Sequence, residues 1–299
     1  MITSRVIDRT RGFARIGAMN TPANAFVAPS IVQPASGSTR RSVGELLREW
    51  RLRRRMSQML LANEAEISTR HLSFVESGRS LPSREMVMHL AERLDVPLRE
   101  RNALLVAAGY APLYRERALD DPQLAAAREA VELVLRGHEP YPALAVDRHW
   151  NIVAANAALA PLVGDASPTL PAAPVNALRL SLHPEGVAPR IVNWHAWRAH
   201  LLARLQRQIE ASADPVLVAL HDELAAYPAP PHASAADTEP VQHLIAVPLR
   251  IRTALGELSF YSTTTVFGTP VDITLSELAI EAFFPADAQT AQMLRAQSF

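Results

Sequence analysis

The sequence predicts an α+β fold in two parts, helices alone up to about residue 109 and helices mixed with short strands after about residue 140. Three observations carry this. Between Ser42 and Gly109 apolar residues recur at helical spacing, punctuated by Ser caps and by Gly and Pro stops. Beyond residue 140 short apolar runs flank turn residues, as at Ala143–Asp147 and Asn151–Ala154, a hairpin signal. The charge divides with the pattern. Residues 1–117 hold 19 Arg against 11 acids, a net of +8, and residues 118–299 hold 11 Arg against 19 acids, a net of −8. The first part has the sign that phosphate attracts, and the second has the sign it repels.

Taken in order, residues 1–39 mix Arg, Pro, Ser and Ala without periodicity and read as a disordered arm. Arg5, Arg9, Arg11 and Arg15 would let such an arm touch DNA, and Met19 offers an alternative start. A helical domain is expected over 40–112. Ser42 and Glu45 form a capping box for its first helix, with Leu46, Leu47, Trp50 and Leu52 on the apolar side. Arg51, Arg53, Arg54 and Arg55 crowd that helix's end, where its dipole favours cations. Ser57 caps a second helix, and Ser68 caps a third that stops at Gly78. Pro82 and Ser83 open a fourth. A fifth runs from about Leu98 to Ala108.

A connector over 113–140 contains one helix, about Pro122–Arg136. The last domain is expected over 141–299. Its helices are Trp194–Glu210 and Pro215–Ala226, followed by a Pro/Ala/Ser-rich loop over Tyr227–Pro240. Strands are expected at Leu244–Arg252, Glu257–Phe267 and Glu277–Phe283, with a short terminal helix after Pro285.

The totals exclude several classes. With no Cys there are no disulfides and no thiolate chemistry. No apolar run reaches the roughly 18 residues needed to span a bilayer. No signal peptide is apparent, so the expected location is cytoplasmic. There is no Gly-rich phosphate loop among the 11 Gly and no Gly-x-Ser-x-Gly elbow. His195 and His200 are five apart and do not share a helix face for a metal. The expectation is therefore no enzyme, no metal and no cofactor.

The segment Ser57–Arg79 carries the strongest functional signal. Two short helices joined by a tight turn place one helix where the major groove, about 12 Å wide, can admit it. Leu61, Ala62, Ile67, Leu72 and Val75 have the spacing to pack the two together. Ser68, Thr69 and Arg70 fall on the first turn of the groove helix, and Arg70 can bond guanine O6 and N7. Ser57 and Gln58, at the start of the preceding helix, are further candidates to contact DNA, and Gln58 suits a phosphate or a base. Arg79 suits a phosphate or a helix cap. Phe74 is either core or a contact to a thymine methyl group.

The order Ser-Gln, Ala, Ser-Thr-Arg, Glu-x-Gly-Arg, Pro-Ser resembles the Xre-type helix-turn-helix over about 42–109. Two positions depart from that pattern. Glu66 stands where the turn usually has Gly, and Asn63 where an apolar residue is common. A positive φ at Glu66 would cost about 1 kcal/mol or more.

Three further stretches are distinctive: Leu178–Gly186, Asn193–Arg198, and Gly256–Thr263 with Phe267–Asp272. Joined to the Xre-type reader, they resemble the MmyB-like transcription regulators over about 42–296. Ala143–Asn156 is similar to the opening hairpin of PAS domains. The resemblance implies a PAS-like second domain, an antiparallel sheet with flanking helices around a pocket. It also implies a small-molecule effector, and a fatty-acyl-like compound suits an apolar pocket. Candidate lining residues are Trp150, Trp194, Trp197, Phe260 and Tyr261, each of which can equally be ordinary core. Arg179, His183 and Arg198 are candidates to hold a carboxylate, and His183 before Pro184 also reads as a loop anchor.

The expected function is a ligand-controlled, sequence-specific regulator binding double-stranded DNA, as a homodimer on a two-fold site. The alternative is a protein-interaction module that no longer reads DNA.

Overall fold

The computed structural model describes residues 41–164, 174–233 and 246–296. The N-terminal arm, the second half of the Tyr227–Pro240 loop and the start of the expected 244–252 strand lie outside the described residues.

Five helices form the first unit: α1 Val43–Arg53, α2 Gln58–Glu64, α3 Thr69–Glu76, α4 Arg84–Arg93 and α5 Leu98–Ala107. The Ser42–Glu45 capping box is formed, with Ser42 N donating to Glu45 Oε2 at 2.7 Å. Ser57, Ser68 and Ser83 cap the next three helices through their hydroxyls. Leu47, Leu61, Leu72, Val75, Leu90 and Leu105 fill the core between them. Gly44 lets α1 lie against the end of α3. A Cβ there would sit 2.3 Å from the Val75 carbonyl oxygen.

All five helices stop in the same way. The third residue past each end donates back five residues, and the residue before it, at positive φ, donates back three: at Arg55, Glu66, Gly78, Asp95 and Gly109. Two of these positions are Gly, which adopts the conformation freely, and three are not. Glu66 has φ 53°, so the cost expected at the turn is present. Asn63 is exposed, so a polar residue there leaves no buried group unsatisfied.

A single tight turn at Pro122–Leu124 leads into α6, Ala125–Gly137. The second unit is a five-stranded antiparallel sheet with flanking helices. Its strands are β1 Ala143–Val146, β2 Ile152–Ala155, β3 Leu249–Thr253, β4 Gly256–Val266 and β5 Ala279–Pro285, in the order β2-β1-β5-β4-β3. Strand alternation sends Leu144 and Val146 to the inner face and Ala143 and Ala145 to the outer face. Val131 and Leu135 of α6 cover part of the outer face.

Around the sheet stand α7 Ala160–Val163, α8 Ala177–Leu182, α9 Trp194–Ser212, α10 Pro215–Ala226, α11 Ile273–Ser276 and α12 Ala288–Arg295. The last strand begins two residues later than its sequence suggests. Asp272 caps α11, and that helical turn carries the chain past Glu277 before it extends. Helix α9 is the long element of this unit and packs Trp197, Leu201 and Leu205 toward the inner face.

Candidate nucleic-acid interface and ligand cavity

In the helical unit, α2 and α3 meet through Leu61, Ala62, Leu72 and Val75, all buried. This leaves the start of α3 outward. Ser68, Thr69 and Arg70 are exposed, with Ser68 Oγ accepting from His71 N at 3.1 Å. Ser57 Oγ does the same for Leu60 N at 3.0 Å. Both hydroxyls serve as caps, and their own hydrogens remain free to donate outward. Phe74 is half-buried and lies outside the packed core. Its ring is flanked by the Arg70 guanidinium at 5.3 Å and that of Arg79 at 5.9 Å. Arg70, Phe74 and Arg79 therefore share one surface, and Thr69 is exposed beside Arg70 on the first turn of α3.

Gln58 is tied to that surface from behind. Its amide donates to Glu76 Oε2 at 2.8 Å. Glu76 in turn is buried and gripped by Arg51, with Nε to Oε1 at 2.6 Å and Nη2 to Oε2 at 2.8 Å. Arg51 reaches the Met56 carbonyl as well. Arg51 does stand in the last turn of α1, as the sequence suggests, but its side chain is not on the surface. It is a buried partner that joins α1, α2 and α3. The Glu-x-Gly-Arg pattern flagged Glu76, but nothing local pairs it with a residue 25 positions earlier.

In the second unit a cavity of about 90 Å³ lies between the inner face of the sheet and α9. Its walls are almost wholly apolar: Leu144 and Ile152 from the hairpin, Leu178 and Leu180 from α8, Leu201 from α9, and Phe283 from β5. Trp150 closes one side. Asp147 folds the β1–β2 turn tightly by accepting from His149 N and Asn151 N, and Trp150 takes φ 68°. Trp197 lines another side, its indole N–H bonded to Ser181 Oγ at 3.0 Å. One end of the cavity is polar, with Arg204, Glu281 and Ser262. Arg204 Nη1 donates to Glu281 Oε2 at 2.8 Å, and its guanidinium stacks 4.6 Å from the Trp150 ring. Burial, together with Arg204 and Arg207, pushes the neighbouring His200 imidazole below its usual range.

The family model for the ligand-binding domain of MmyB-like transcription regulators matches residues 127–296, and a helix-turn-helix model matches 42–104. The chain belongs to the MmyB-like transcription regulators. No curated protein matches it. As such a regulator it joins a DNA-binding helix-turn-helix to a ligand-binding domain, on the fold its sequence predicts.

The regulator's structure brings two of the eight sequence-predicted ligand residues to the cavity, Trp150 and Trp197. The other six are engaged elsewhere. Arg179 forms a two-point pair with Glu223. His183 packs edge-on against Tyr227 and accepts from Glu185 N, the loop-anchor arrangement. Trp194 is buried beneath Arg198, whose Nη2 bonds the Ala225 carbonyl. Phe260 is fully buried core, and Tyr261 alternates to the outer face, 40% exposed. The missed residues are mostly Leu, Ile and Val, along with Arg204 and Glu281, which only strand register and α9 bring together.

The two units of the regulator touch where α9 ends. Ala213 packs on the helical core, and Arg54 donates to the Ala211 carbonyl at 3.4 Å. Nearby, Arg99 of α5 grips Glu277 at 2.8 and 2.9 Å and Glu116 at 2.6 and 2.7 Å. A polar cleft of about 240 Å³ opens there, lined by Arg99, Glu100, Arg148, Gln208, Asp214 and Glu277 among others. Burial pushes the Glu100 carboxyl up from its ordinary value. Burial opposes the Asp214 charge too, yet the Val216 N–H, the His149 ring and Arg148 together hold that carboxyl below the usual range.

Proposed function

We propose that this regulator binds a specific duplex site through residues 40–112 and that a small apolar, fatty-acyl-like molecule in the cavity of residues 141–299 sets its affinity. The observation that carries this is the position of α9. One stretch of the helix walls the cavity through Trp197, Leu201 and Arg204, and its far end rests on the helical unit through Ala211 and Ala213. A ligand that moves α9 has a packed route to the reader. It must bind the two arrangements with different affinity to shift anything.

A second route runs beside it. Trp150 Nε1 donates to Gln208 Oε1 at 2.8 Å, and Gln208 Nε2 donates to the Arg148 carbonyl at 3.0 Å. The Arg148 side chain lies 3.8 Å from Glu277, the partner of Arg99 on α5.

On the DNA side, Thr69 and Arg70 are assigned to base edges, and Phe74 to a thymine methyl group. Gln58 and Arg79 are assigned to the backbone, and Ser57 and Ser68 hold the helix starts. Two copies acting as a homodimer would place two readers about one helical turn apart, about 34 Å. The regulator is read as a cytoplasmic, non-catalytic protein. No described helix is long and apolar enough to cross a membrane.

Fluorescence anisotropy on duplexes tiled across the gene's own promoter tests the reader. Arg70→Ala is expected to cost about 1–3 kcal/mol at one base position and to relax specificity there. Unchanged affinity and base preference would remove Arg70 from the readout.

A further inference from the structure

We propose that the cavity selects an acyl chain whose head group is uncharged, an ester, amide or alcohol, over the free carboxylate. The proposal rests on the apolar-ligand reading above and narrows the ligand class at the same site.

The polar end of the cavity already holds a closed ion pair. Arg204 gives Nη1 to Glu281 Oε2 and Nη2 to both Glu281 Oε1 and Thr264 Oγ1. Thr264 Oγ1 also lies 2.9 Å from Glu281 Oε1, closing the triangle. Strand register fixes the arrangement, because Leu144, Glu281 and Thr264 stand opposite one another across β1, β5 and β4. The Glu281 side chain is 5% exposed, and Trp150 stacks on the guanidinium that neutralises it.

A ligand carboxylate has two ways to sit at this end, and both are unfavourable. It can draw Arg204 away, which leaves the buried Glu281 charge without its partner. Or it can leave the pair intact, which sets a second anion beside Glu281 in apolar surroundings. Two other basic side chains lie near the cavity: Arg190, whose guanidinium is already bonded to the Leu162 and Val163 carbonyls, and His200, which packs on Trp197 at 5.4 Å and is driven toward its neutral form by burial. A neutral carbonyl or hydroxyl meets neither penalty.

The cavity also offers such a group a partner. Ser262 lines it on the same face of β4 as Thr264, two residues away. Among the described residues its hydroxyl has no hydrogen-bond partner, so it can donate to an ester or amide carbonyl.

Isothermal titration of the delipidated full-length protein with methyl decanoate, decanamide and sodium decanoate, at about pH 8 where the acid is ionised, tests this. The neutral compounds are expected to bind at least about tenfold more tightly than decanoate. Glu281→Gln, which frees Arg204, is expected to shrink or reverse that gap. Decanoate binding as tightly as the neutral compounds in the unaltered protein overturns the proposal, and so does an unchanged gap in E281Q. The comparison within the unaltered protein needs no variant, so poor folding of E281Q does not remove the test. Binding of none of the three would instead overturn the apolar-ligand reading itself.

Discussion

Glu66 shows how far a single residue can be read before its structure is seen. Its place in the turn identifies a position that favours Gly, and its φ of 53° bears out the strain. Asn63 is different. Its polarity marks an apparent departure, but the side chain faces solvent, so nothing is lost. Exposure depends on how α2 is rotated against its neighbours, which one local pattern does not determine. Glu66→Gly is expected to raise the free energy of unfolding by about 1 kcal/mol, read from urea denaturation midpoints at constant slope. A loss of stability would mean that the Glu66 side chain contributes more than its backbone costs. Arg51 could not be read from its neighbours at all. Among four Arg at a helix end it looks like surface charge, and its burial follows from the distant Glu76.

At the level of elements, the helices were legible because their boundaries are written in local chemistry. Ser42, Ser57, Ser68 and Ser83 each cap a helix through a hydroxyl a few bonds from the amide it satisfies. The cavity was not legible for the opposite reason. Its walls come from the β1–β2 hairpin, α8, α9 and three further strands, and which face each side chain takes follows from register. Choosing large aromatics found Trp150 and Trp197 but also Phe260, which is core, and Tyr261, which faces outward. Leu201, on the cavity side of α9, gives a direct test of the space. Leu201→Trp is expected to fill part of it and to abolish the thermal upshift that an added acyl ester produces, at a stability cost of about 1–3 kcal/mol. A full upshift in L201W would place the ligand elsewhere.

For the molecule as a whole, the charge split visible in the sequence acquires a structural meaning. The basic part and the acidic part are joined by ion pairs, Arg99 of α5 with Glu277 and Arg117 with Asp272. Glu100 sits in the cleft between them, where burial favours its protonated form. The folded protein thus keeps a proton that the unfolded chain releases. Stability from this group is full below the ordinary glutamate range and is lost as pH rises through the raised folded value. Glu100→Gln is expected to raise the melting temperature above that window and leave it unchanged below, in thermal scans across pH. Equal shifts at every pH would separate the effect from titration.

The central claim is that the cavity and the reader are one machine. Anisotropy titration of the full-length protein on its cognate duplex, with and without saturating acyl ester, tests it most directly. The account predicts a change in DNA affinity of about tenfold, worth about 1.4 kcal/mol of coupling, that disappears in L201W. Identical DNA affinity with the cavity shown to be occupied would contradict it.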